Sequence, residues 1–126
     1  MRPQILIVAA LAISSCAPSA QPQGANLAVE LGGRTAGSPQ DCISTRVDQN
    51  LRPLDSRTIA YDVGRTVYIN HLPGQCYGLS PYNTVVAYPL SGSQYCRGDR
   101  IRAVEPGANI PGGFCNLGSW VPYTLP

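Results

Sequence analysis

The sequence predicts an all-β fold, a small disulfide-stapled antiparallel sandwich or barrel, on three observations. Short runs rich in Val, Ile, Thr and Tyr alternate at period two, the signature of half-buried strands. Gly and Pro number 13 and 12 of 126 residues, so turns are frequent and long helices are disfavoured. Cys42, Cys76, Cys96 and Cys115 all fall in the same stretch, and a domain of this size is marginal on apolar burial alone.

Taken in order, the chain begins with Arg2 and the apolar run Ile5 to Ile13, which together read as a signal peptide over residues 1–15. The run is too short for a bilayer span, which takes ~20 apolar residues. Ile13-Ser14-Ser15-Cys16 resembles the lipobox of bacterial lipoproteins, in a relaxed form. That resemblance implies cleavage before Cys16 and a diacylglyceryl and palmitate-type anchor on its thiol. Ala17 after the Cys implies the periplasmic side of the outer membrane. The alternative is cleavage after Ala17 or Ala20, which gives a soluble periplasmic or secreted protein; Pro18 disfavours the second of these cuts. Residues 16–40, rich in Ala, Gly, Pro, Ser and Gln, read as the lipidated Cys and a flexible tether reaching on the order of 27 Å. Within it Asn26 to Leu31 suits a brief helical turn that Gly32 and Gly33 end.

The folded domain is expected over 41–126, which holds every Tyr, the Trp and the Phe. Expected strands are Ile43 to Val47, Thr58 to Val63, Thr66 to Leu72, Thr84 to Tyr88, Arg100 to Val104 and Ser119 to Thr124. Ile59, Tyr61 and Val63 alternate with Thr58, Ala60 and Asp62, and Gly64-Arg65 joins this run to the next as a hairpin. Leu72-Pro73-Gly74, Ser80 to Asn83, Ser91-Gly92-Ser93 and Glu105-Pro106-Gly107 are the turns that follow.

With Cys16 set apart, an even number of cysteines remains in an exported domain, which implies two disulfides. No close Cys-x-x-Cys pair exists, so neither a zinc site nor a thioredoxin-type motif fits, and no metal or cofactor is expected. Three pairings are open. Cys76 with Cys96 and Cys42 with Cys115 are preferred, one closing a central segment and the other tying first strand to last.

Four stretches, Cys42-Ile43, Tyr68-x-Asn70-x-Leu72-Pro73-x-x-Cys76-x-Gly78-Leu79, Tyr95-Cys96-x-x-Asp99-x-Ile101 and Cys115-x-Leu117-Gly118, carry a resemblance. Together they resemble a family of small uncharacterised proteobacterial envelope proteins, a domain of unknown function. The resemblance spans Cys42 to about Tyr123 and implies domain boundaries and an envelope location, without a reaction.

Composition narrows the chemistry. All nine basic residues are Arg, which excludes a Schiff-base lysine. Without Arg2 the charge is close to neutral, so no field attracts nucleic acid. His71 has no Gly-x-Ser-x-Gly partner and reads as a turn residue. Asp99, just before a strand, is expected to accept backbone N–H bonds and fix a turn. Arg97-Gly98-Asp99 spells a known adhesion tripeptide, too short to carry weight. Arg100 and Arg102 share a strand face opposite Ile101 and Ala103 and, with Arg97, form a small basic cluster. Tyr77, Tyr82 and Tyr95 lie near it in sequence, and Tyr with Arg is what interfaces favour. Trp120 and Phe114 are expected in the core. The leading expectation is a non-catalytic binding or structural module, with an envelope protein or glycan as partner. A small hydrolase inhibitor presenting Pro73 to Pro81 is the alternative, and an enzyme using Asp99 and an arginine is a third reading.

Overall fold

The computed structural model describes residues 25–107 and 112–126. The expected signal peptide, Cys16 and the start of the expected tether lie outside the described residues. In chain order the elements are α1 (Ala25–Leu31), β1 (Thr35–Ala36), β2 (Cys42–Ser44), β3 (Arg52–Pro53), β4 (Thr58–Val63), β5 (Thr66–His71), β6 (Thr84–Tyr88), β7 (Gln94–Cys96), β8 (Arg100–Val104), β9 (Cys115–Asn116) and β10 (Trp120–Thr124). The fold is all-β, with three antiparallel sheets: a five-stranded sheet ordered β1-β10-β5-β4-β3, a three-stranded sheet β6-β8-β9 and the pair β2-β7.

The β4–β5 hairpin follows the sequence pattern. Val63 faces Thr66 across a two-residue turn, and Gly64 takes the positive φ of 59° that this turn requires at its first central position. Ile59 and Tyr61 point into the main core with Trp120, Ile101 and Leu117, all but solvent-free. The other face of the same strands carries Ala60, Val67 and Ile69. Alternation predicts that this face is wet, yet Leu27 and Leu31 of α1 and Tyr123 of β10 cover it.

This corrects the tether. From Ala25 onward the segment is folded: α1 lies over the second apolar cluster, β1 pairs with β10, and Gln40 bridges to Trp120. The reason is the i, i+4 spacing of Leu27 and Leu31, which lets one helical turn cover an otherwise exposed apolar face. An ion triad fastens the helix, since Arg52 on β3 bonds both Glu30 and Asp62, the latter at 2.8 Å. The hydrogen bond that Arg52 donates to Glu30, then the two carboxylate charges, raise the Arg52 pKa against the effect of burial. Arg52→Ala is expected to speed amide exchange over 31–34 while costing about 1 kcal/mol or less of global stability, because the triad is partly exposed. Unchanged exchange there would remove the triad from any role in holding α1.

Strand limits differ where strands are short. The strand expected to run to Val47 stops at Ser44, and Val47 is fully exposed. β1, β3, β7 and β9 span two or three residues each, too few for a period to register. β3 holds Pro53 at the sheet edge, where the missing N–H costs no ladder bond.

The disulfides are Cys42–Cys96 and Cys76–Cys115, which replaces the preferred pairing. Cys42 and Cys96 sit directly opposite each other in the β2–β7 ladder. Cys115 pairs in register with Ile101 on the inward side of β8, beside the fully buried Cys76. The first partnership follows from strand pairing and the second from β9 lying beside the loop after β5, meetings of distant segments that span length along the chain does not encode.

Candidate functional site

The outward face of β6-β8-β9 gathers the arginines with two aromatic rings. Along β8 the burial alternates, Ile101 and Ala103 inside, Arg100 exposed and Arg102 half-buried. Pairing places Tyr88 opposite Arg100 and Val86 opposite Arg102 on the same outer side. On β9, Cys115 faces Ile101 and Asn116 faces Arg100, so the preceding Phe114 projects outward. Phe114 is 48% exposed and Tyr88 44%. This corrects the expectation that Phe114 joins Trp120 in the core: the inward Cys115 forces its neighbour out.

Phe114 organises the face. The Arg102 guanidinium carbon lies 3.9 Å from the centre of its ring, and that of Arg100 lies 4.9 Å away. Tyr88 meets the ring edge-on at 5.5 Å and lies 5.8 Å below the Arg102 guanidinium. A cation over a ring face gains roughly 0.5–2 kcal/mol, the more so as it is desolvated. Arg102 Nε is buried without a hydrogen-bond partner. The only salt bridges among the described residues are those of Arg52. Two like charges thus share one ring with no carboxylate in reach.

The other expected interface residues do not join this face. Arg97 lines a shallow pocket of about 410 Å³ with His71, Pro73 and Asn116. Tyr82, 87% exposed, borders a larger cleft of about 740 Å³ beside α1 and β3. Tyr77 is 85% exposed beside Gly112 and Ala103. Tyr95 is half-buried on β7 at the margin of the main core, where it packs edge-on against Tyr61 at 5.6 Å. Desolvation, then the neighbouring Tyr61, raises its pKa.

Asp99 is buried and turned inward. Its Oδ2 accepts the Cys96 N–H at 2.7 Å, its backbone N–H donates to the Cys96 carbonyl, and its own carbonyl accepts from Leu117. Its Oδ1 accepts the Leu90 N–H at 3.4 Å, so the carboxylate closes the β7–β8 turn with both oxygens engaged. Asp99→Asn is expected to keep its one acceptor on the Cys96 N–H and to turn its NH₂ toward the Leu90 N–H, costing about 1–3 kcal/mol in urea unfolding. A neutral result would show that the turn holds without the charge.

His71 is exposed at the end of β5, and no group of three or more His, Cys, Asp or Glu side chains gathers among the described residues. No protein-family model, curated protein or solved structure matches the chain.

Proposed function

We propose that this chain is a non-catalytic binding module of the bacterial cell envelope, exported by its N-terminal segment, held to a membrane by lipid on Cys16, and engaging a partner through the outward face of β6-β8-β9. The observation that carries the binding reading is the pair Arg100 and Arg102 over Phe114 and Tyr88, an exposed layer of the residue types on which interfaces depend. The two disulfides agree with an oxidising compartment, and the Ile13-Ser14-Ser15-Cys16 pattern supports the anchor.

The intact, non-reduced mass from native membranes tests the anchor. Residues 16–126 plus acyl chains, less the hydrogens of two disulfides, is expected, and an unlipidated chain starting beyond Ala17 overturns it. A photo-crosslinking side chain at Tyr88 tests the face in living cells. The expected adduct disappears when Arg100 and Arg102 are both changed to Gln and does not form from Val47. Absence of any Tyr88-specific adduct overturns the reading.

One observation favours a second reading. The segment Pro73 to Pro81 is pinned by Cys76–Cys115 and by the Asn83 amide on the Gly78 carbonyl, with Tyr77 standing out from it. A rigid loop with one protruding side chain suits a hydrolase inhibitor, and dose-dependent inhibition of envelope proteases that Tyr77→Ala abolishes is its test.

A further inference from the structure

Resting on the proposed binding face, we infer that its ligand is an acidic peptide strand bearing carboxylates two residues apart, one for Arg100 and one for Arg102. Like charges set side by side repel, and a fold that keeps them so without a neutralising carboxylate leaves that charge for a ligand. Arg52 provides the contrast within the same molecule, being taken up by Glu30 and Asp62. On the outer face both guanidinium groups stack on Phe114, which orders them at little entropic cost and leaves exposed Arg100 and the Nη groups of half-buried Arg102 for an acceptor.

Spacing selects the ligand. Arg100 and Arg102 are two residues apart on one strand face, which sets their Cα positions about 6.6 Å apart. Carboxylates at i and i+2 of an extended peptide repeat at the same distance and on the same side. The flanks are apolar: Val86 on β6, half-exposed Tyr88, and Val104 on β8 suit the hydrocarbon of such a strand. A membrane surface fits less well, since two arginines supply only a small part of the polybasic charge that lipid recognition uses.

The test is an NMR titration of the disulfide-intact domain with end-capped peptides carrying Glu at i and i+2, the same composition with adjacent Glu, and the Gln version. Polygalacturonate and inorganic phosphate are the comparison anions. The expected result is shifts at Arg100, Arg102 and Phe114 with the i, i+2 peptide, at least about tenfold weaker binding with adjacent Glu, and loss with Gln. Arg100→Gln and Arg102→Gln, whose spectra elsewhere stay native, each weaken it about tenfold or more. Equal binding of the two Glu peptides, preference for polygalacturonate or phosphate, or no shifts with any peptide overturns the inference. A Tyr88 adduct that persists in cells alongside such a result would leave the binding face standing with a different ligand. No adduct and no shifts would bring down both.

Discussion

Gly118→Ala is expected to unfold the domain at ordinary temperatures or lower its stability by about 3–5 kcal/mol. A Cβ at Gly118 would lie 2.2 Å from the His71 carbonyl oxygen and 3.2 Å from its carbon. Both are backbone atoms at the end of β5, so no side chain can swing away. The close approach exists because Asn70, fully buried, clasps Gly118 reciprocally: its Nδ2 donates to the Gly118 carbonyl and its Oδ1 accepts the Gly118 N–H, each at 2.8 Å. Pushing the chains apart breaks both bonds and leaves buried polar groups without partners, at about 1–3 kcal/mol apiece. Asn70→Leu is expected to cost a similar amount by stranding the same two Gly118 groups. Urea unfolding measures both variants, and at roughly 4–8 °C per kcal/mol thermal scans show the effect plainly. A Gly118→Ala protein within half of about 1 kcal/mol of wild type would mean that the turn relaxes freely, contrary to its packing.

The second large effect concerns the cross-links. They close spans of 54 and 39 residues, for which loop entropy gives about 4 kcal/mol each. A domain this small has total stability on the order of 5–15 kcal/mol. Losing both bonds is therefore expected to leave no folded population at 37 °C. Cys76→Ala with Cys115→Ala is expected to cost more than the Cys42, Cys96 pair. Cys76 is solvent-free among Leu72, Leu79 and Leu117, so its loss also opens a cavity. Urea midpoints of the two double-Ala proteins rank them, and peptide mapping without reduction checks the pairing. A peptide joining Cys42 to Cys115 would refute the arrangement of β2 beside β7.

Local signals were the readable ones. The β4–β5 hairpin is written in contiguous residues, with Ile59 and Tyr61 on one side and Gly64 at the turn, and it forms where expected. The outward placement of Arg100 and Arg102 likewise follows from period two along a single strand. Legibility ends where a partner is remote. Cys42 meets Cys96 only because β2 pairs with β7, and β7 is three residues long. Phe114 looked like core because its type is apolar; its side is fixed by Cys115 turning in toward Ile101, a register no local pattern shows. Tyr95 and Arg97 are near neighbours in sequence, yet one packs on Tyr61 and the other lines the His71 pocket. Proximity in sequence is a poor guide to a shared surface when a strand end and a turn lie between.

The position of β10 has a consequence for how the molecule comes into being. β10 lies between β1 and β5, and its Trp120 fills the centre of the main core. A chain emerging N-terminus first from synthesis thus carries β1, β4 and β5 into solvent long before the strand that completes them. Until residues 120–124 arrive, the β4–β5 hairpin lacks its neighbour and the core lacks its largest member, and that order of arrival delays folding. It also leaves Cys42, Cys76 and Cys96 exposed together before Cys115 emerges, a window in which a wrong cross-link between the early three would have to be undone by exchange.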